Sequence, residues 1–268
     1  MKQYDPFEPS IPAYKTEREW IIDSLTPFYT DGWIVDCLAR VKPGKEATVY
    51  ICEAHPSTGY ERVAAKLYRP RHSRSMRNYS AYQEGRFHLG PTGGVVKDSR
   101  DLRALRKKTP RGRRIETHSW LAHEYGTLRK LHNAGLSVPE PLAMENSTIL
   151  MEFAVRDCIA APTLHEVELE NDEAIRMHRA ILDEIKLMLI CDIIHGDLSA
   201  YNILYDEEDY LIIDLPQAIN PHQNPRAREF LIRDIQRVGD YFRQYGLETD
   251  AVGLGIDWFE LYNYNALV

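Results

Sequence analysis

Short apolar runs separated by turn residues dominate the first half of the chain and predict strands. Residues 41–53 and 62–68 are rich in Val, Ile, Tyr and Ala, and the HPSTGY sequence between them contains a Pro and a Gly. This pattern is typical of an antiparallel strand pair. Residues 142–144 and 148–153 are two further apolar runs around a polar turn, so a second hairpin is predicted.

Apolar residues at helical spacing predict helices around and after these strands. A short amphipathic stretch occupies residues 16–25, and residues 119–133 repeat apolar positions every three or four residues, with Ser119 as the candidate N-cap. Two short strands are predicted at residues 202–205 and 210–213. Further helices are predicted at residues 172–191, capped by Asn171 or Asp172, at 224–245 and at 248–264.

The order of these elements predicts an α+β protein with two lobes. Residues 1–32 are expected to form an N-terminal arm that packs on the body. Residues 33–154 contain most of the strands and form the N-lobe, which includes a segment of poor periodicity at about residues 69–117. Residues 155–268 contain most of the helices and form the C-lobe.

The composition is that of an ordinary folded domain, with 44% hydrophobic and 27% charged residues, which excludes disorder as the dominant state. A membrane helix needs roughly 18 to 20 apolar residues, and the best stretch, residues 185–194, is interrupted by Lys186 and Asp192. The N-terminus lacks the basic and apolar regions of a signal peptide. The four cysteines form no CxxC pair. We therefore expect a reducing, cytoplasmic setting without membrane contact.

The charge is divided unevenly along the chain. The net charge is −7, yet the segment from Lys66 to Arg114 contains fifteen Lys or Arg and three acidic residues. This distribution is compatible with a solvated mobile loop and equally with a surface that binds phosphate or nucleic acid. The basic segment at residues 69–114 also contains four serines, Ser73, Ser75, Ser80 and Ser99.

The strongest chemical signal is the sequence HGDLSAYN at residues 195–202, followed by the sequence IID that ends at Asp214. Phosphoryl transfer needs a carboxylate that orients the attacking hydroxyl and oxygen ligands that hold Mg²⁺ on the phosphates. Asp197 suits the first role, and Asn202 and Asp214 suit the second. An Asp and an Asn five residues apart, with a later Asp after a strand, are typical of kinase loops. His195 is expected to be structural.

A cation for the nucleotide is expected upstream of this motif. Lys66 ends the apolar sequence VAAK and matches the strand lysine that binds the α- and β-phosphates in kinases. Glu124 lies centrally on a predicted helix and is the preferred ion-pair partner over Glu116, which precedes that helix. The loop at residues 42–50, KPGKEATVY, contains one glycine where ordinary kinases have three, so by itself it indicates a phosphate cradle only weakly.

Together these motifs resemble the RIO family of atypical protein kinases, over about residues 30–245. The run at residues 212–219 decides this, because an ordinary kinase would have DFG there and a longer chain after it, whereas only 54 residues follow Asp214. The matching motifs are GKEA at residues 44–47, Lys66 in an AxK context, MEF at 151–153, HGDLSAYN at 195–202 and IIDLPQAI at 212–219.

The resemblance implies a reduced bilobal kinase fold without an activation segment or peptide-docking subdomains, with ATP and Mg²⁺ or Mn²⁺ as cofactors. It implies that residues 69–117 form a mobile insertion. Because residues 1–40 are too few for a winged helix, it indicates the branch of the family without that domain. Asp197 and Asp214 are the implied catalytic residues. The implied cofactor-binding residues are Gly44, Lys45, Glu46, Ala47, Val49, Lys66, Glu124, Asn202, and the backbone of Glu152 and Ala154.

Three functions remain open from the sequence. The first is a serine/threonine protein kinase that acts on a protein substrate that the sequence does not identify. It also autophosphorylates, with the basic-segment serines Ser73, Ser75, Ser80 and Ser99 as candidate sites. The second is an ATPase switch, with phosphate transferred to Asp214. This switch would time release from an RNA-protein particle, such as a pre-ribosomal small subunit, that contacts the basic segment. The third is a small-molecule kinase of the aminoglycoside or sugar type, which shares HGDLxxxN but usually lacks GKEA.

Overall fold

A computed structural model of the chain describes residues 6–44, 47–69, 88–89, 94–156, 159–206 and 209–268. These residues divide into two compact units. The first unit consists of the described residues within Met1–Arg74, His88–Tyr125 and Glu140–Phe153. The second unit consists of those within Gly126–Pro139 and Ala154–Val268.

The first unit is built on a five-stranded antiparallel sheet with the strand order β1-β2-β3-β5-β4. Its strands are β1 (Ile34–Pro43), β2 (Ala47–Ala54), β3 (Arg62–Tyr68), β4 (Pro141–Glu145) and β5 (Thr148–Glu152). A 3-10 turn, Pro56–Thr58, connects β2 to β3. The two predicted hairpins are therefore present, and β3 lies between β2 and β5 in the sheet.

The prediction of one strand over residues 41–53 is wrong at its start. Val41 belongs to the end of β1, and the chain turns at Gly44 before β2 begins. The sequence pattern did not predict β1, because Asp36 and Arg40 interrupt its apolar residues. Such interruptions are typical of an edge strand with one exposed face, and β1 lies at the edge of the sheet.

Helix α1 (Lys15–Thr30) extends the amphipathic stretch predicted at residues 16–25. Its buried residues Ile21, Leu25 and Phe28 join the core formed by the sheet. Burying three large apolar side chains contributes roughly 1.5–3 kcal/mol each relative to exposure. The helix is therefore a structural part of the first unit.

Two helices lie wholly or partly within residues 69–117, the segment for which a mobile insertion was expected. Helix α2 (Ser99–Arg106) and helix α3 (Pro110–Asn133) together cover most of the second half of that segment. Helix α3 begins nine residues before Ser119, so Ser119 is not its N-cap. The candidate site Ser99 is the exposed first residue of α2, whereas Ser73, Ser75 and Ser80 lie outside the described residues.

Local contacts explain why α2 and α3 form although apolar residues are sparse there. The Asp98 side chain caps α2 by accepting hydrogen bonds from the amides of Arg100 and Asp101. Gly112 lets the first turn of α3 approach the end of α2, because a Cβ at this position would lie 2.1 Å from the carbonyl oxygen of Ala104. Neither signal depends on hydrophobic periodicity.

The second unit is mainly helical. Its helices are α4 (Asn171–Ile190), α5 (Ala227–Phe242) and α6 (Ala251–Asn263). Two short antiparallel hairpins pair β6 (Val155–Arg156) with β7 (Ile159–Ala160) and β8 (Ile203–Asp206) with β9 (Asp209–Ile212). Three 3-10 turns lie at Leu164–Glu166, Ala200–Asn202 and Arg243–Tyr245. The predicted helices and the predicted β8–β9 hairpin are thus confirmed to within a few residues. The N-cap of α4 is Glu170, not Asn171 or Asp172.

Residues 215–226 lead directly from Asp214 to α5. No helix among the described residues is both long and apolar enough to cross a lipid bilayer.

Candidate active site

In the first unit, the central strand β3 places Lys66 opposite Val49 of β2 and Ile149 of β5. The Lys66 Nζ atom lies 2.7 Å from Oε1 of Glu124 on α3. Both side chains are withdrawn from water, with exposures of 13% and 4%. The structure therefore brings together the two residues that the sequence predicted to pair, and Glu116 is not the partner of Lys66.

A buried tyrosine completes this pair. The Tyr68 hydroxyl donates to Oε2 of Glu124 at 2.5 Å, so both carboxylate oxygens of Glu124 are occupied. Burial, followed by the negative charge of Glu124, raises the pKa of Tyr68 well above its usual value. Trp120, one turn before Glu124, packs edge-on against the Tyr68 ring at 4.8 Å between centroids. These contacts fix the Glu124 rotamer and thereby the position of the Lys66 ammonium group.

The predicted phosphate-binding loop is described in part. The Gly44 amide donates to the carbonyl of Ala47 at 2.9 Å, which closes a tight turn. A Cβ on Gly44 would lie 2.5 Å from that carbonyl oxygen, so the turn requires glycine. Val49 faces the same side of the sheet as Lys66, because directly paired residues share a face. Lys45 and Glu46 lie outside the described residues.

The predicted adenine contacts lie where the chain passes from one unit to the other. Glu152 ends β5, and its amide donates to the carbonyl of Glu140 at 2.8 Å. Ala154 belongs to the second unit, where its carbonyl accepts the Ala161 amide at 3.2 Å. The amide of Glu152 is therefore already engaged.

In the second unit, His195 holds the loop that follows α4. It is almost fully buried, its Nε2 atom lies 3.1 Å from the Ile213 carbonyl, and its Nδ1 accepts the Asp197 amide at 3.3 Å. Burial lowers the pKa of His195, and the carboxylates of Asp214 and Asp197 oppose this shift. The imidazole is therefore neutral and donates from Nε2, in the structural role predicted for it.

A buried carboxylate in α5 organises the backbone of the same loop. Asp234 accepts the amide of Gly196 at 2.7 Å and the amide of Leu198 at 3.1 Å, on either side of Asp197. Gly196 has a φ of +81°, a conformation that glycine adopts without strain. Burial raises the pKa of Asp234 to about 7, and the two amide hydrogen bonds act in the opposite direction.

Asp197 is contacted through both of its carboxylate oxygens. The guanidinium of Arg237, on α5, forms an ion pair with Oδ1. The Gln217 amide nitrogen lies 3.3 Å from Oδ2. Gln217 belongs to the sequence DLPQ that follows β9. This sequence therefore supplies a hydrogen-bond donor to the candidate catalytic carboxylate of Asp197.

Asn202 and Asp214 present oxygen atoms near this loop. The Asn202 amide nitrogen donates to the backbone carbonyl of Asp197 at 2.9 Å, which leaves Oδ1 as its cation-binding atom. The Asn202 carbonyl accepts the Ile213 amide at 2.9 Å, which ties the loop to the residue before Asp214. Asp214 is exposed and has a φ of +70°, an uncommon conformation that Asp tolerates better than most residues.

This donor set fits Mg²⁺ better than a transition metal. Among the described residues, no group of three or more His, Cys, Asp or Glu side chains is arranged to hold a metal ion. Mg²⁺ needs only one or two carboxylates, because water and substrate phosphates complete its octahedral shell. An amide oxygen from Asn202 and a carboxylate from Asp214 meet that requirement.

The sequence reading missed four residues of this site: Tyr68, Gln217, Asp234 and Arg237. One of them left a signal. Asp234 lies on the apolar face of α5, between Leu231 and Val238, and an acid at a core position of an amphipathic helix needs buried partners. The other three are polar residues at ordinary positions, and only the folded structure shows what they contact.

Comparisons with known proteins agree with this geometry. The structure of the Rio2 kinase-ADP/Mg²⁺-phosphoaspartate complex from Chaetomium thermophilum matches with a TM-score of 0.59 and 20% sequence identity, covering 87% of this chain and 62% of that chain. The structure of the Rio2 kinase from the same organism gives the same TM-score at 19% identity. The fold of this chain is therefore that of a protein kinase, α+β in class, as the sequence predicted.

The family follows from the sequence comparisons. A family model described as the RIO domain matches residues 48–252, well over half of the chain. The RIO-type serine/threonine-protein kinase Rio1 of Haloferax volcanii is 29% identical over 226 residues, covering 84% of this chain and 69% of that protein. The chain belongs to the RIO family of serine/threonine-protein kinases, and the sequence-based resemblance is confirmed.

Eukaryotic relatives are longer than this chain. The serine/threonine-protein kinase RIO1 of Chaetomium thermophilum is 30% identical over 231 residues, and that of Homo sapiens is 27% identical over 258 residues. The chain spans 41% and 42% of the length of these two proteins. The family match also favours the protein-kinase alternative over the small-molecule kinase.

Proposed function

We propose that the chain transfers the γ-phosphate of ATP to a serine or threonine hydroxyl of a protein, with Mg²⁺ or Mn²⁺ as the metal. The observation that carries the proposal is the environment of Asp197: its carboxylate is held through both oxygens, and the loop around it is fixed by Asp234, His195 and Asn202. Such pre-organisation is what phosphoryl transfer requires of a protein, because most of its catalysis is positioning and electrostatics.

Each unit contributes a separate set of roles to this proposal. In the first unit, the turn at Gly44 and the Lys66 ammonium group bind phosphates, and Glu124 fixes the ammonium group. In the second unit, Asn202 and Asp214 supply oxygen ligands for the metal. The bound metal neutralises charge on the phosphates. The adenine contacts proposed for the backbone at Glu152 and Ala154 follow from the family resemblance.

The proposed step at Asp197 balances as follows. The acceptor oxygen forms a bond to the γ-phosphorus, and the bond from that phosphorus to the β–γ bridging oxygen breaks. The hydroxyl proton passes to the Asp197 carboxylate, and ADP leaves with the electron pair of the broken bond. The ion pair with Arg237 keeps Asp197 oriented while the acceptor binds.

An ATPase switch is the second candidate, since one of the Rio2 kinase structures described above is a phosphoaspartate complex. In that reaction the Asp214 carboxylate would be the acceptor, and water would later hydrolyse the acyl phosphate. Incubation with γ-labelled ATP and Mg²⁺, followed by neutral hydroxylamine, separates the two. Phosphoserine keeps its label under this treatment, whereas an acyl phosphate at Asp214 is cleaved to a hydroxamate and free phosphate. Protein kinase activity predicts stable label on a protein acceptor. Equal ATP affinity with and without Mg²⁺ would contradict the metal assignment.

We also propose that the surface of α2 and the start of α3 binds the phosphate backbone of RNA, as in an RNA-protein particle. Residues 97–114 contain nine bases and two acids, and all nine bases are exposed. The acids are engaged locally, since Asp98 caps α2 and Asp101 lies 2.6 Å from Arg111. The positive charge of this helical surface is therefore not compensated within residues 97–114.

The salt dependence of RNA binding tests this partner. Replacing residues 106–108, Arg-Lys-Lys, by alanine should reduce the slope of log affinity against log salt by about two to three. A matched control replaces three exposed arginines of the second unit, Arg176, Arg179 and Arg228. Salt-independent binding, or an equal effect of both variants, would contradict the proposal.

We further propose a cytoplasmic location. Cys37 of β1 and Cys52 of β2 lie opposite each other in the sheet. Both are free thiols, without a disulfide, and both are buried in the core. A reducing compartment preserves such a core.

A further inference from the structure

The second unit contains a pocket of about 770 Å³ beside the loop that carries Asp197. Three segments form its walls: the chain around the 3-10 turn Leu164–Glu166, residues 199–201 of the loop, and one face of α5. The residues that matter for its chemistry are His165, Glu168, Tyr201, Arg237, Asp240 and Tyr241. The volume lies within the range of ligand-binding clefts, roughly 300–1,000 Å³.

Hydrogen bonds between the walls keep this pocket formed. The Tyr241 hydroxyl donates to the Leu164 carbonyl at 2.7 Å, which fastens α5 to the first wall. The Tyr201 hydroxyl lies 2.9 Å from Nε2 of His165, and the centroids of the two rings are 4.0 Å apart. A partner would therefore meet an existing surface, which lowers the entropic cost of binding.

Arg237 connects the pocket to the candidate catalytic carboxylate. Its side chain lines the pocket, and its guanidinium contacts Oδ1 of Asp197. The Arg237 side chain therefore lies between Asp197 and a molecule bound in the pocket. Because the proposed function makes Asp197 the group that orients the attacking hydroxyl, the pocket lies on the acceptor side of the reaction.

The charges of the lining do not cancel. Arg237 pairs with Asp197, and Asp240 accepts from Arg243 at 2.8 Å. Glu168 is exposed and forms no hydrogen bond or ion pair with any residue that the structure describes. The pocket therefore presents a net negative charge.

Aromatic surface lies beside this negative charge. The Tyr201 side chain is 58% exposed although it is large and aromatic, and Tyr241 lines the same pocket. Aromatic faces attract ammonium and guanidinium groups, and their rings also bury the apolar stems of such side chains. A carboxylate next to tyrosine rings is a suitable binding surface for a lysine or an arginine.

We propose that this pocket binds a lysine or arginine side chain of the polypeptide acceptor and so presents a neighbouring serine or threonine to Asp197. The inference rests on the proposed function and assigns it a substrate class. Among the described residues, only twelve separate Asp214 from α5, so contacts close to the catalytic loop are the ones available there to position an acceptor. The pocket is the place in the described part of the second unit where charge, aromatic surface and proximity to Asp197 coincide.

Short peptides with a central serine in an alanine background test this inference. Arginine, or glutamate in a parallel series, is placed in turn at each flanking position, and phosphate transfer is measured with labelled ATP and Mg²⁺. The wild type should prefer arginine over glutamate at one or two positions by at least about tenfold in kcat/KM, because one placement gains an ion pair and the other meets repulsion.

Variants of Glu168 separate the pocket from the chemistry. Glu168→Gln should reduce this preference by up to about fivefold and Glu168→Lys should reverse it. Transfer to the all-alanine serine peptide should change by less than about twofold, since Glu168 forms no hydrogen bond or ion pair with the described residues of the catalytic loop. Glu260→Lys, the same charge change at an exposed residue of α6, should leave the preference intact.

Direct binding distinguishes failure of this inference from failure of the proposed function. A fluorescent arginine peptide should bind the wild type more tightly than Glu168→Lys, without ATP. Equal binding to both proteins, or an arginine preference that survives in Glu168→Lys, would overturn the inference while leaving kinase activity in place. Binding through Glu168 without any phosphate transfer would instead overturn the proposed function and leave the basic-residue pocket standing.

Discussion

At the scale of single residues, the pair of Lys66 and Glu124 links stability to activity. Both charges are buried, so each depends on the other for compensation. Glu124→Gln removes the negative charge and leaves the Lys66 ammonium group without its carboxylate. We expect the free energy of unfolding to fall by about 3 kcal/mol and phosphate transfer to fall at least tenfold.

The control for this prediction is Glu116→Gln on the same helix, which was the competing partner from the sequence. Urea unfolding and a labelled-ATP assay measure the two effects. If Glu116→Gln and Glu124→Gln changed the free energy of unfolding and phosphate transfer equally, the ion pair of Lys66 with Glu124 would not explain stability or activity.

Asp197 carries the second prediction at this scale. Asp197→Ala should lower the rate of phosphate transfer by about a hundredfold or more, because a positioned general base contributes at least that much. Affinity for ATP with Mg²⁺ should stay within a few fold, since Asn202 and Asp214 are the proposed metal ligands. A variant that kept more than about a tenth of the wild-type rate would contradict the assignment. Arg237→Met should give a smaller loss, because it releases Asp197 without removing it.

The sequence identified the candidate catalytic and ligand-binding residues, but it did not identify the residues that position their side chains. Lys66, Asp197 and Asn202 occur in short motifs whose spacing reflects the reaction. Arg237 contacts Asp197 from forty positions farther along the chain. Such a contact depends on how α5 packs against the loop, and no local pattern encodes it.

At the scale of elements, the junction of α2 and α3 depends on one glycine. A Cβ on Gly112 would lie 2.1 Å from the Ala104 carbonyl oxygen and 2.4 Å from its carbon, and backbone atoms cannot move aside as a flexible side chain can. Gly112→Ala should therefore destabilise the first unit by about 1–3 kcal/mol. It should also weaken RNA binding if the proposed basic surface depends on this junction.

Gly126 on the same helix provides the opposite expectation. A Cβ there would meet nothing within 4 Å, so Gly126→Ala should stabilise the protein by about 0.5–1 kcal/mol through its better helix propensity. Urea unfolding of the two alanine variants gives both values. Stabilisation by Gly112→Ala would show that the close approach of α2 and α3 is absent in solution.

The same junction shows why some elements were missed. The first nine residues of α3 contain few apolar residues, so a periodicity criterion placed the start of the helix at Ser119. The helix begins earlier because Thr109 accepts the Gly112 amide at 3.2 Å and because α2 packs against its first turn. Helices with strong apolar spacing, such as α4 and α5, were placed almost correctly.

At the scale of the whole molecule, the fold class and family were predictable because the order of motifs carries more information than any one motif. A single-glycine loop is weak evidence, but a loop, a strand lysine, a helix glutamate and an HGDxxxxN loop in that order indicate a kinase. The basic segment could not be interpreted in this way, because charge alone does not distinguish a helical surface from a solvated loop.

The pH dependence of stability tests how the second unit holds its loop. Burial lowers the pKa of His195 below its ordinary value of 6.5. The unfolded chain therefore binds a proton more readily than the folded chain as the pH falls. The stabilisation is complete above the unfolded pKa and is lost progressively as the pH decreases below about 6.5.

As the pH falls below about 6.5, the free energy of unfolding should decrease more, or increase less, in the wild type than in His195→Gln. Asp234, whose pKa burial raises to about 7, contributes a change of the opposite sign in both proteins, so the difference between the two proteins reports His195. The variant keeps a residual slope from His178, whose pKa is also lowered by burial. Urea unfolding at a series of pH values measures the slopes, and the NMR titration of the His195 imidazole measures the pKa directly. Two outcomes would contradict this role of His195: identical slopes in the two proteins, or a pKa of His195 at or above 6.5. Either would show that the imidazole is not buried as a neutral donor to the Ile213 carbonyl. Another contact would then hold the loop around Asp197.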